Sequence, residues 1–150
     1  MVQRIVSGGQ TGADRGALDA AIELGIEHGG FCPRGRRAED GTIPSRYQLE
    51  ETSSPNYRVR TERNVVESDA TLLVTRGHPT GGSALTADIA RQHGRPVLHI
   101  DLDDVPVNPE RVRQWLFRFS IEVLNVAGPR ASGCPGIAKD VRDLLVSVLS

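Results

Sequence analysis

The 150-residue chain is short of several things at once. It has only two cysteines, Cys32 and Cys134, too few for a disulfide framework or a structural zinc site. No apolar run approaches the roughly 20 residues that a membrane-spanning helix needs. The polar stretch from Ser7 to Asp14 arrives too early for the apolar centre of a secretion signal, so a cytoplasmic location is expected. A net charge of −1 gives no general attraction to nucleic acid or to anionic lipid, so neither is an expected partner. Lysine is nearly missing, with Lys139 alone against 17 arginines. Genomic base composition produces such an excess, and arginine also suits two-pronged binding of phosphate or carboxylate. What remains is 38% hydrophobic and 25% charged, without low-complexity tracts, as expected of a folded domain.

Apolar runs and helical periodicity alternate along the chain. Residues 3–6, "QRIV", read as a strand, and Thr11 to Ile26 as a helix, with Thr11 and Asp14 spaced as a capping box. Ala13, Ala17, Ala20, Ala21 and Leu24 form one small-residue face on that helix. "GGFC", residues 29–32, is a candidate second strand, and no periodicity holds from Pro33 to about Arg60. Thr61 to Ser68 reads as a helix, "ATLLVT" at 70–75 as a buried strand, Ser83 to Gln92 as a helix and "PVLHI" at 96–100 as a strand. Val112, Trp115, Leu116 and Phe119 mark an amphipathic helix, "IEVLNV" at 121–126 a last strand, and Ile137, Val141, Leu144, Leu145 and Val148 a closing helix. Alternation of this kind predicts a single doubly wound α/β domain, 1–150, with a mainly parallel sheet covered on both faces.

Ligands of such sheets sit beyond the carboxyl ends of the strands. "SGGQTGAD", Ser7 to Asp14, joins the first strand to the first helix and therefore falls on that edge. Glycines there let the backbone turn and approach a ligand, while the helix start offers free N–H groups and a partial positive charge. The combination suits an anion, most often phosphate. It is neither the dinucleotide fingerprint nor a Walker loop, since the spacing differs and no lysine follows. A second turn, "TGGSALT" from Thr80 to Thr86, repeats the arrangement, and two such turns predict one shared pocket. Ser7, Thr11, Thr80, Ser83 and Thr86 would supply hydroxyls, or serve only as caps.

The long irregular segment at 33–60 is of the length usually reserved for function. It starts beside the same edge, and Arg34 is its best placed cation for an anion. Tyr47 and Tyr57 could stack on a flat ring or pack the loop down. A third glycine-rich turn, "AGPRASGCPGI" at 127–137, brings Arg130 within reach, with Cys134 near the last helix either activated or an inert small residue. His78 lies beside the second turn; His28, His93 and His99 are scattered, and no metal site is expected. "DLDD", Asp101 to Asp104, is a cation-binding candidate but lacks the calcium-loop pattern and reads better as a solvated turn.

Three stretches carry a resemblance: "SGGQTGADRGALDAAIELGIEHGGFCPRGRRAEDGTIPSRYQLEET", "RTERNVVESDATLLVTRGHPTGGSALT" and "NVAGPRASGCPGI". Over almost the whole chain they resemble the molybdenum carrier (molybdenum cofactor carrier) family. The resemblance implies a Rossmann-like domain akin to the lysine-decarboxylase-like and cytokinin-activating phosphoribohydrolases. It implies molybdenum cofactor, a pterin with a dithiolene-bound metal and a terminal phosphate, or molybdate, as cargo. Self-association as a dimer or tetramer also follows, with Trp115 and Phe119 as interface anchors or as core. On this basis Gly8, Gly9, Gln10, Thr11 and Gly12 would hold one part of the anion and Gly81, Gly82 and Ser83 another. Ser7, Asp14, Arg34, Thr80 and Thr86 complete the candidate set, and no catalytic residue is assigned. The enzymatic relatives carry paired glutamates where this chain has Ala87 and Asp88, which weakens a glycosidic-cleavage role. Asp88, Asp14, Glu39 and Asp40 remain possible acids. Two alternatives to a carrier therefore stand: a nucleoside-monophosphate hydrolase and a nucleotide-sensing module.

Overall fold

In the computed structural model all residues from Met1 to Ser150 are described. Five parallel strands form the central sheet: β1 (Arg4–Val6), β2 (Glu27–Gly29), β7 (Ala70–Thr75), β8 (Val97–Asp101) and β9 (Val123–Ala127). Their order is β2-β1-β9-β7-β8. Five helices connect them: α1 (Ala13–Leu24), α2 (Tyr57–Val66), α3 (Gly81–Gln92), α4 (Pro109–Arg118) and α5 (Ile137–Leu149). Two small ribbons lie outside the sheet: β3 (Phe31–Cys32) with β6 (Glu50–Glu51), and the hairpin of β4 (Arg37–Ala38) with β5 (Gly41–Thr42). No helix is long and apolar enough to cross a membrane.

Burial on both faces is what a parallel sheet requires, and every residue of β7 is buried. On one face α1, α4 and α5 enclose a core in which Ile5, Leu72, Val74, Leu124 and Val126 of the sheet meet Val112, Trp115, Ile137, Val141 and Leu145. The small face of α1 brings α5 close: a Cβ on Gly16 would overlap the Ala138 carbonyl. On the other face α2 and α3 pack through Val65, Ile89 and Ala90. Trp115 belongs to the first core, with its ring edge-on to Phe119 at 6.5 Å, whereas Phe119 is 46% exposed.

Several boundaries move for identifiable reasons. Helix α1 starts at Ala13, because Gly12 at φ 84° takes the cap position and no side chain caps it. The anticipated capping box is not made: Asp14 turns back to accept from the Gln10 N–H at 3.1 Å. The "GGFC" strand divides at Gly30, whose positive φ and closeness to the Ser7 backbone bend the chain out of the sheet. Helix α2 begins at Tyr57, four residues before the start expected at Thr61, because the Asn56 side chain accepts from the Arg58 N–H at 2.9 Å. The 33–60 segment is thus shorter than expected and holds β4, β5 and β6.

The strand order carries a further regularity. Counted from β9, the sheet reads 3-2-1-4-5, the order of a doubly wound nucleotide-binding domain. The strand expected first in such a chain is here the last. Met1 and Val2 line one groove with Val148 and Leu149, so the two ends lie together. The connectivity is that of a circular permutant.

Candidate functional site

Between β9 and β7 the chain order reverses, and the loops after these two strands open a cleft. Its main chamber holds about 310 Å³. The β9–α5 loop forms one wall, from Ala127 to Arg130 with Ser132 and Gly133. Thr80, Gly82, Ser83, Leu85 and Thr86 at the start of α3 form the opposite wall. Tyr57, Arg60 and Thr61 from the first turns of α2 close the side, and Gln10 and Asp14 reach in from the β1–α1 turn.

The three glycine-rich turns do different work. In the first, Gly8 leaves the space occupied by the Arg60 guanidinium, and Gly9, at φ 78°, lies under Ile43 and Leu49. Gly12 sits against Pro129, Arg130 and Ala131, holding the first turn to the third. The Ser7 hydroxyl is spent on the Val126 carbonyl at 2.8 Å. Gly9, Thr11, Gly12 and Ser7 thus make packing contacts within the protein and lie outside the lining of this cleft. Gly8 reaches only a small recess beneath the chamber, shared with Asp14, Arg60, Asn64 and Asn125. In the second turn nothing stands within 4 Å of a Cβ built on Gly81 or Gly82, and both glycines are exposed. Packing explains the first pair of glycines; in the second pair Gly81 holds a left-handed φ of 51°, and only Gly82 has neither a close neighbour nor a positive φ.

The hairpin β4–β5 straps the first turn. Gln10 bridges it, donating to the Arg37 carbonyl at 3.1 Å and accepting from the Glu39 N–H at 3.3 Å. Arg15 grips Asp40 through two contacts of 2.6 and 2.8 Å and donates to the Gly9 carbonyl. Glu39 accepts from Thr11 and from the Ser132 hydroxyl and N–H, which hold its carboxyl below the usual range. Tyr47 is buried beneath, donating to Asp19 at 2.7 Å.

Charge in the chamber comes from two arginines and one carboxylate. Arg60 Nη1 lies 3.4 Å from Asp14 Oδ2, and Arg60 Nε is buried with no hydrogen-bond partner. Arg130 makes no ion pair; its guanidinium stacks 4.8 Å from the Tyr57 ring centroid, with Arg60 at 5.7 Å. Burial pushes the Asp14 carboxyl above its ordinary range, against the opposing pull of Arg60 and the Gln10 N–H. Positive charge is therefore in excess. Arg34, the cation expected here, is exposed and lines no part of the cleft, because its loop turns away after Cys32. Asp88 also lies outside, its side chain 65% exposed and 3.5 Å from Arg91. Asp101 accepts from the Gly77 and Asp103 N–H groups, so "DLDD" is a structural turn. No three His, Cys, Asp or Glu side chains gather as metal ligands.

The central role of the β9–α5 loop decides how the chain compares with known proteins. In the unpermuted order it is the first strand-to-helix turn, where doubly wound domains bind phosphate. Residues 5–149 match the circularly permutated YpsA SLOG family. The chain belongs to that family. A crystal structure from Syntrophus aciditrophicus SB named "Putative molybdenum carrier protein" is 47% identical, with a TM-score of 0.94 over 99% of this chain and 96% of that one. No curated protein sequence matches. The family assignment and this neighbour bear out the resemblance and the Rossmann-like α/β fold, and the neighbour's name supports a binding or carrier role in general.

Proposed function

We propose that the chain is a carrier that holds molybdenum cofactor or molybdate by an oxyanion group in the β9–β7 cleft. The observation that carries this reading is two arginines at one chamber, Arg130 without an ion pair and Arg60 with an unpartnered Nε, facing a Gly82 that packing does not require. Arg60 and Arg130 line one chamber with Asp14 as its one carboxylate and Glu39 close to Arg130 outside it, and Gly82 opens the start of α3 toward it without any packing need. Phosphate and oxo-metal groups share the chemistry such a site selects: several acceptor oxygens and negative charge. Arg60 and Arg130 would hold the anion, the first N–H groups of α3 and the Thr80 and Ser83 hydroxyls would complete its bonds, and Gln10, Asp14 and Thr86 would shape the floor. The neighbour's name points the same way. Asp88 outside the cleft, and no second carboxylate beside Asp14 in its lining, give the hydrolase alternative no support.

The test is titration of the purified protein with molybdate, inorganic phosphate and molybdenum cofactor, alongside an Arg60→Ala/Arg130→Ala variant. Stoichiometric binding in the wild type and a loss of about a hundredfold in the variant are expected, each arginine contributing one charge-assisted contact. Equal binding by both proteins would remove the cleft from consideration.

A further inference from the structure

An aromatic face holds Arg130, and no carboxylate does. The residue is exposed, its guanidinium makes no ion pair, and it lies 4.8 Å from the centroid of the Tyr57 ring. Glu39 is near enough to feel its charge, but that carboxylate is already taken up by Thr11 and Ser132. The same ring receives Arg60, at 5.7 Å. Two like charges, one from α2 and one from the β9–α5 loop, therefore meet on a single tyrosine.

The start of α2 sets that ring in place. Asn56 caps the helix by accepting from the Arg58 N–H at 2.9 Å, and the Thr61 hydroxyl donates to the Tyr57 carbonyl at 2.8 Å. Tyr57 and Arg60, three residues apart, share one face of the helix. Both line the chamber with Thr61, while Arg58 and Val59 between them are exposed and line no part of it. Tyr57 itself is half-buried, at the border of the two walls that supply the arginines.

A carboxylate partner would neutralise a guanidinium and occupy its N–H edge. An aromatic face attracts the cation through its quadrupole and leaves both the charge and the in-plane donors available. It also restricts an exposed side chain that would otherwise spread over many rotamers. Left free, two guanidiniums would move apart by mutual repulsion. We infer that Tyr57 is a positioning residue: its ring holds Arg60 and Arg130 side by side so that one anion meets both. The inference rests on the anion reading of the chamber and adds the group that pre-organises it.

The ring contact and its effect on binding are measured separately. In the protein without added anion, the ring current of Tyr57 should move the Arg130 side-chain proton resonances upfield. That shift should persist in Tyr57→Phe and vanish in Tyr57→Leu. Inorganic phosphate, titrated by calorimetry, should bind Tyr57→Phe within about twofold of wild type and Tyr57→Leu about tenfold more weakly, the loss of two cation–ring contacts. Arg130→Ala should cost about tenfold in wild type and about threefold or less on the Tyr57→Leu background, where that arginine is already released. Thermal unfolding checks that each variant is folded; should Tyr57→Leu fail to fold, the wild-type spectrum and the Tyr57→Phe titration still decide. An absent shift in wild type, a Tyr57→Phe variant about tenfold weaker than wild type, or additive losses for Tyr57→Leu and Arg130→Ala would overturn the positioning role. No phosphate binding by wild type, with the shift intact, would overturn the anion reading, and with it the purpose of the ring, while leaving the stacked geometry in place.

Discussion

Gly8 and Arg60 share one space: the guanidinium of Arg60 lies where any side chain at position 8 would begin. That overlap requires a glycine after Ser7. Gly8→Ala should push Arg60 away from Asp14, cost about 1–3 kcal/mol in stability and weaken phosphate binding by about tenfold. On an Arg60→Ala background the same change should cost almost nothing, since the obstruction is gone. Denaturant unfolding and calorimetry on the four proteins of this cycle measure both effects; additive losses would refute the shared-space account.

Asp14 makes the site sensitive to pH. Its carboxyl is raised above the ordinary value of 3.8, chiefly by burial. An acid raised by folding binds its proton more tightly in the native state, so its favourable contribution is complete below the ordinary pKa. That contribution is lost as pH rises through the raised value. Wild type should therefore lose stability relative to Asp14→Asn across that window. Sulfate, whose charge is constant there, should bind wild type more tightly as pH falls, because the chamber's only counter-charge to Arg60 and Arg130 disappears. Arg60, the Gln10 N–H, Ser7 and Arg15 face the group, and the nearest other carboxyl on the chamber's arginines, Glu39 beside Arg130, is held below the usual range. Asp14→Asn should show a flat profile and tighter binding at neutral pH; parallel profiles for the two proteins would refute this.

Glycines 9 and 82 should respond in opposite ways. Gly9→Val places a β-branched residue at φ 78° against Ile43 and Leu49, and should cost at least about 2 kcal/mol of stability. Gly82→Ala adds a methyl to open space at an ordinary φ, so stability should hold or rise by about 0.5–1 kcal/mol. Anion affinity should nevertheless fall, because the methyl stands in the cleft. Thermal unfolding paired with phosphate titration distinguishes the two, and an unchanged affinity in Gly82→Ala would remove the second turn from the site.

A chain re-cut to run from β9 should fold alike. Joining Ser150 to Met1 with a short flexible linker and opening the exposed Ser120 restores the standard strand order and leaves every sheet pairing available. The circular dichroism spectrum and the affinity for phosphate should match those of the native order. A permutant that collapses without binding would show that the present termini are needed for more than connectivity.

Local pattern carried much of the fold. "ATLLVT" is apolar enough to be read as buried on both faces, and Val112, Trp115 and Leu116 mark the core-facing stripe of α4. Tertiary partners decided the rest. A first strand-to-helix turn usually binds phosphate, but permutation makes the β9–α5 turn the equivalent of that position, and strand order leaves no mark on local periodicity. Arg34 and Arg60 are equally plausible as letters. What separates them is that Asn56 starts α2 early enough to put Arg60 in its first turn, facing Gly8. Asn56 after Pro55 is a visible start signal, so this much was within reach of the sequence. The Glu39 and Asp40 clasp was not, because its partners, Arg15 and Ser132, lie 25 and 93 residues away.

Placing β9 between β1 and β7 has an outcome in time as well as space. Until β9 has left the ribosome, the strands already made can pair only as two separate halves, β1 with β2 and β7 with β8. Each half waits with a bare backbone margin facing the other. The final strand zips both margins shut and, in the same event, delivers Arg130 to the cleft. A product that stopped before β9 would lack both the sheet's central strand and the Arg130 wall of the cleft.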